Sequence, residues 1–285
     1  MEPFSSFPLE PQIKSHPASI RVILACEMIE DEVKLALERI RRAMSASAGP
    51  LHDPHPIVWI ESGLHEHPEQ LRAHLQELVN CLDEGALKAR HVALPSVRPG
   101  KGPSDLRMEE LSIPPAGDII LALGFCGKGL QGLVSQTSPM VFPRVDDCIS
   151  LFLNNGCARE EIQRDAHAFY FTRGWLCHNN PMVDSYLKAM ERFGPEKAHQ
   201  LLKATMAAYQ RITLIDTGAY DLAGSQLETE ALAKDLKLEH TVVPGSVQLL
   251  ERLFAGPWDS EIVLIPPGKT ITIWHLLGNS SKMDA

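Results

Sequence analysis

The sequence predicts an α/β fold of mostly parallel sheet with flanking helices. Three observations carry this expectation. Short apolar runs alternate with longer stretches of helical periodicity along most of the chain. Gly- and Pro-rich loops punctuate the two kinds of segment. The shape also recurs, SIRVILACEMIEDE beside RITLIDTGAYDLAG and GDIILALGFCGKG beside SEIVLIPPGKTIT. Two similar Rossmann-like lobes around a cleft, about 19–165 and 166–278, would explain the recurrence. One α/β domain over 19–278 is the alternative, because any α/β protein resembles itself at this level.

The elements follow in order. Ser19–Ala25 (SIRVILA) reads as a buried strand, and Glu30–Met44 as a helix with Val33, Leu35, Leu37 and Ile40 as its apolar stripe. Ser45–Pro56 is a loop, Ile57–Ile60 (IVWI) a strand, and Pro68–Leu82 a helix with proline in its first turn. After a Pro- and Gly-rich loop over Pro95–Gly117, Asp118–Leu123 (DIILAL) is a strand. Gly124–Gly132 is a glycine-rich turn, Met140–Phe142 a short strand, and a helix starts at Asp146. Ala168–Thr172 is a strand, and Gly194-Pro195 divides the helices Pro181–Phe193 and Pro195–Gln210. Strands at Ile212–Ile215, Thr241–Val243 and Glu261–Ile265 alternate with helices at Ser225–Leu236 and Ser246–Phe254. Ile271–Trp274 is expected as an edge strand. Residues 1–18, with Pro3, Pro8, Pro11 and Pro17, read as an extended arm, and 279–285 as a flexible tail.

Composition narrows the function classes. Of 285 residues, 44% are hydrophobic and 22% charged, which is ordinary globular usage. The 27 Lys and Arg against 36 Asp and Glu leave a net charge of −9. That sign opposes general nucleic-acid binding, which depends on phosphate neutralisation, and opposes an anionic membrane surface. No apolar run approaches the ~20 residues of a membrane helix. The first residues lack a basic start and an apolar core, so a cytoplasmic location with reduced thiols is expected.

Six cysteines are present and none forms a CxxC pair. Parallel sheets place ligands outside the C-terminal ends of their strands. Cys26-Glu27 follows the first strand, Glu61 to His67 the second, Gly124 to Gly129 the third, and Pro143 to Cys148 the fourth. Cys26, Cys126 and Cys148 with His65 form a candidate set for zinc or iron, because thiolate and imidazole donors suit both metals. Small buried hydrophobe is the competing role for each cysteine. Glu27 and Asp147 are the candidate proton carriers. Cys148, in the first turn of its helix, is expected to have a lowered thiol pKa. Cys81, Cys157 and Cys177 have no comparable setting and read as structural.

Gly127, Gly129 and Gly132 spell GxGxxG, but Gly124-Phe125-Cys126 intervenes after the strand, which argues against a dinucleotide turn. Gly124, Gly127 and Gly129 are instead expected to admit a ligand or metal close to the backbone. Arg144 is a candidate partner for an anionic ligand, and Asp146-Asp147 for a cation; an Arg–Asp pair with helix capping is the alternative. His67 reads as the residue that precedes its helix. Tyr170 and Tyr220 are candidates for a pocket wall, while core packing suits Trp175 better.

The segments ILACEMIEDE, ESGLHEHPEQLRAHLQ, LALGFCGKGLQGL, FPRVDDCISLFL, FYFTRGW and LIDTGAYD, in this order, resemble domain-of-unknown-function family 1638. The resemblance spans about residues 20–268. Asn154-Asn155 stands where the family pattern carries Gly-Ser. Members accompany corrinoid-dependent methyltransferases for methylamines and betaines. The resemblance therefore implies, by association, a part in one-carbon methyl transfer, with a corrinoid as cofactor and a corrinoid protein or methyltransferase as partner. It marks Cys26, His65, Cys126 and Cys148 as motif residues.

Two functions are expected from these readings. One is a metal-binding enzyme or accessory protein of methyl-transfer metabolism, acting on a small molecule. The other is a non-catalytic module for a corrinoid, a nucleotide or a methyltransferase, built on the glycine loop 124–132. Metal-free thiol catalysis at Cys148 is a third, and needs a base nearby that sequence spacing does not identify.

Overall fold

A computed structural model of the chain describes residues 21–46, 55–85, 92–93, 117–178 and 181–278. The expected N-terminal arm, most of the loops around residues 50 and 105, and the C-terminal tail lie outside the described residues. The fold is α/β, as expected, with two sheets.

The first sheet has the order β3-β2-β1-β4-β5-β9. Its centre is parallel: β2 (Ile57–Ile60), β1 (Arg21–Cys26), β4 (Asp118–Ala122) and β5 (Met140–Pro143). The central strands are apolar because helices cover both of their faces, and only Arg21 escapes full burial. Antiparallel strands close the two edges, the two-residue β3 (Val92–Ala93) beside β2 and β9 (Ile262–Ile265) beside β5. The second sheet, β6-β7-β8 (Ala168–Phe171, Arg211–Asp216, Glu239–Pro244), is wholly parallel, with α4 (Arg173–Cys177), α5 (Pro181–Phe193) and α6 (Pro195–Thr205) between β6 and β7 and α7 (Leu222–Leu236) between β7 and β8.

Strand order decides where a site can form. From β1 the chain runs through α1 (Glu30–Ala46) outward to β2 and α2 (Pro68–Asp83), then returns to β4 on the other side of β1. The connections after β1 and β4 therefore leave in opposite directions. That topological switch point opens a crevice outside their C-terminal ends, flanked here by Cys26 and by the loop 124–129.

Two expectations need correction. Ile271–Trp274 is not an edge strand: only Thr270 makes a bridge, to Val134, and residues Ile273–Leu277 form the helix α9. Thr272 caps it, with its N–H donating to His275 Nδ1 at 2.9 Å. A β-branched run thus gave way to a local cap. The buried side of α1 also differs from its expected stripe. Glu32, Val33 and Ala36 are fully buried, while Leu35, Leu37 and Ile40 are only partly so.

The two sheets share one apolar core. After β8 the chain leaves the second sheet. Helix α8 (Gln248–Ala255) packs on α1 and on β4 and β5, and β9 joins the first sheet. Ile215 of β7 belongs to that core as well, while Ile212, Leu214 and Phe171 form a second cluster on the opposite face. No helix among the described residues is long and apolar enough to cross a membrane.

Candidate functional site

The switch-point crevice is a cleft of about 260 Å³. Cys26, Cys126, Cys148 and His65 all line it, together with Gly127 and Asp147. The lining also takes Phe169 and Tyr170 of β6, Trp175 of α4, Tyr209 and Arg164, so the cleft combines thiol, imidazole and aromatic groups.

Each cysteine is placed by a different strand end. Cys26 closes β1, and its sulfur accepts the N–H of Met28 in the 3-10 turn that follows. Cys126 sits after β4 at φ 43°, with Gly127 at φ 61° and Lys128 at φ 81°. Three consecutive left-handed residues, two of them with side chains, are costly and are held by their surroundings. Phe125 N–H donates to Val145 O at 3.0 Å and Cys126 N–H to Asp146 O at 2.8 Å, so the loops after β4 and β5 run side by side. Cys148 is the first residue of α3 (Cys148–Leu153), which Asp147 caps through Ser150 N–H at 2.8 Å.

The three thiols differ in acidity. The Cys126 thiol and the Gly124 N–H both donate to Cys148, which holds its thiol below the usual range. The Cys126 thiol is pushed well up, first by that donation and then by burial. Burial and the neighbouring Cys148 push Cys26 up. The site thus favours the thiolate at Cys148 over that at Cys26 or Cys126. The hydrogen bonds, not the expected helix start alone, are the cause, and the adjacent Asp147 carboxylate opposes them.

The remaining expected residues are distributed as follows. Asp147 pairs with Arg164, and Asp146 with Arg159 at 2.6 Å, so the acidic pair serves capping and ion pairing rather than a cation. Arg144 is not on the cleft; its guanidinium lies beside Gly278, and its N–H bonds Glu261 O at 2.8 Å. Glu27 is also off the cleft, accepting from Ser62 N–H at 3.4 Å and tying the turn after β1 to the turn after β2. The glycines pack the protein more than they open it. A Cβ on Gly124 would meet the Asp147 backbone at 2.4 Å, and one on Gly129 would meet Leu71 at 2.5 Å. Gly127 alone of the three lines the cleft. His67 precedes α2 without a side-chain capping bond. Trp175 lines the cleft, its ring 5.2 Å from that of His65, whereas Tyr220 donates to Ile215 O away from it. Cys81 and Cys157 are half-buried and Cys177 exposed, none of them on the cleft.

Sequence reasoning missed Met28, Arg164, Phe169 and Tyr209. The aromatic run after Ala168 was the available signal. It also missed the seam behind the cleft, where the first turn of α1 spends three acidic residues on three partners. Glu30 faces His178 at 3.5 Å, Asp31 pairs with Arg173 at 2.7 Å, and Glu32 accepts from Thr217 Oγ1 at 3.0 Å. Glu32 is fully buried, its Oε2 has no hydrogen-bond partner among the described residues, and burial pushes its carboxyl up to about 8.

Donor chemistry at the cleft suits a soft metal, yet among the described residues no group of three or more His, Cys, Asp or Glu is disposed to hold one. Fold and site together define a two-sheet α/β protein with a cysteine-lined cleft at the switch point of its first sheet. The model of a family described as protein of unknown function (DUF1638) matches residues 103–254, more than half of the chain, and the chain belongs to that family. The matched stretch holds Cys126 and Cys148; Cys26 and His65 precede it. No curated protein and no solved structure matches the chain.

Proposed function

We propose that the cleft is the working site of a thiol-dependent protein that transfers a group between a small electrophile and Cys148. The observation that carries this is the pair of hydrogen bonds converging on one sulfur, from Cys126 and from Gly124 N–H. A thiolate is the nucleophilic form of cysteine, and donors aimed at it favour that form. In the transfer step Cys148 sulfur attacks the electrophilic carbon and the bond to the leaving group breaks. The leaving group departs with its electron pair, and Cys126 or His65, which line the same cleft, would give it a proton. The one-carbon setting implied by the family resemblance would make the electrophile a methyl donor, with a corrinoid protein or methyltransferase as supplier. Iodoacetamide at one equivalent tests the reading. Alkylation should fall first on Cys148 and should vanish from the cleft in Cys148→Ser. Labelling that goes first to the exposed Cys177 would remove the basis for it.

A second reading has its own observation: three sulfurs and one imidazole line a single cleft. Their side chains do not converge as a ligand set as they stand, so zinc or iron would require Cys26, Cys126, Cys148 and His65 to turn toward one point, where a bound thiol is deprotonated outright. Metal content after purification without oxygen separates the two readings. About one equivalent supports the metal, and less than about a tenth removes it.

A further inference from the structure

We propose that Cys126 and Cys148 close to a reversible intramolecular disulfide when a hydroperoxide enters the cleft, shutting the site. The inference rests on the preceding reading only in taking Cys148 as the reactive sulfur.

The geometry supports this pair over every other pair of cysteines. The Cys126 thiol donates directly to the Cys148 sulfur. Their main chains are pinned together by the Phe125–Val145 and Cys126–Asp146 hydrogen bonds. The Asp147 backbone lies so close to Gly124 that a Cβ would meet it at 2.4 Å. A disulfide needs two neighbouring backbones, and the loop that carries Cys126 runs hydrogen-bonded beside the residue two positions before Cys148. Cys26 shares the cleft, but its sulfur is engaged by Met28 N–H. Cys81, Cys157 and Cys177 are elsewhere. The cleft, of about 260 Å³, has room for a small hydroperoxide.

The chemistry balances in two steps. Cys148 sulfur attacks one peroxide oxygen, the O–O bond breaks, and hydroxide or alkoxide leaves and takes up the proton that Cys148 gives up; Cys148 becomes a sulfenic acid. Cys126 sulfur then attacks the Cys148 sulfur, the S–O bond breaks, and water departs with the Cys126 proton. Two thiols are oxidised by two electrons, and the peroxide is reduced by the same two. A dithiol reductant reverses the result.

The test uses the full chain, reduced and treated with a chelator, with one equivalent of hydrogen peroxide and peptide mapping by mass spectrometry. A peptide linked through Cys126 and Cys148, two hydrogens lighter and reopened by dithiothreitol, is expected in the wild type and in Cys26→Ser. Cys126→Ser should instead yield a Cys148 sulfenic acid that dimedone traps. Cys148→Ser should consume peroxide at least about ten-fold more slowly. A bridge through Cys26 or Cys177, or unchanged peroxide consumption in Cys148→Ser, overturns the proposal. The wild-type map alone decides the pairing should a variant fail to fold. The two proposals also separate cleanly. Iodoacetamide labelling that prefers another cysteine defeats the transfer reading and with it the premise taken here, while preferred labelling of Cys148 without a Cys126–Cys148 bridge under peroxide defeats this proposal alone.

Discussion

Cys148 is the residue on which the cleft converges, and its environment makes two measurable statements. Removing the donor thiol in Cys126→Ala takes away the largest influence that holds the Cys148 thiol low. The pH midpoint of Cys148 alkylation should therefore move up relative to the wild type, a shift that a rate-versus-pH series reads directly. An unchanged midpoint would mean that the hydrogen bond does not set its reactivity. Glu32 makes the opposite kind of statement. The folded chain keeps its proton up to about pH 8, whereas an ordinary carboxyl releases it near 4.5. Between those values the folded state binds more protons than the unfolded one. Stability therefore falls as pH rises through this window, by at most about 1.4 kcal/mol per unit for one proton. Glu32→Gln removes the effect while keeping an acceptor for Thr217. Urea unfolding at about pH 5 and about pH 8 should show the variant gaining on the wild type at the higher pH. A constant difference between the two pH values would refute a neutral Glu32.

Helix α4 packs closely on the turn after Cys26. A Cβ on Gly174 would lie 1.9 Å from Met28 O. Backbone cannot retreat as a side chain can, so Gly174→Ala should destabilise by about 2–3 kcal/mol through overpacking. It should also push Trp175 away from His65. Thermal unfolding followed by tryptophan fluorescence checks both effects, and a melting temperature equal to the wild type would contradict the contact. At α3 the Asp147 carboxylate caps Ser150 N–H and pairs with Arg164. Asp147→Ala should cost about 1 kcal/mol of stability from the lost cap. Asp147→Asn should recover most of it, because the cap needs only an acceptor oxygen. The partly exposed Arg164 pair adds little of its own.

Chain order does not follow the sheets in this molecule. The first sheet is completed by elements from the far end of the sequence. Leu249, Leu250, Leu253 and Phe254 of α8 and Val263 and Ile265 of β9 are buried in the same core as β1 and β4. A fragment of residues 1–165 would expose that apolar surface and leave β5 without its outer neighbour. Expressed alone, it should show no cooperative unfolding transition, while the intact chain should show one. Urea titrations of the fragment and of the full chain make the comparison. A sharp transition in the fragment would show that the first sheet stands without α8 and β9.

Local pattern was enough for most elements. IVWI is a strand and Pro68 opens a helix in the structure as in the sequence, because apolar runs and proline act within a few residues. The same reasoning placed Cys26, Cys126, Cys148 and His65 after strand ends, and the parallel pairing of β1, β2, β4 and β5 gathers those ends on one edge. Tertiary structure alone decided the rest. Nothing near Asp147 specifies Arg164 as its partner, and nothing near Glu261 says that β9 crosses back beside β5. The aromatic lining of the cleft and the burial of Glu32 arise where α1 meets the second sheet, between residues far apart in sequence. Sequence periodicity reports which side of a segment avoids water. It does not report which distant segment covers that side, and here that choice makes the cleft.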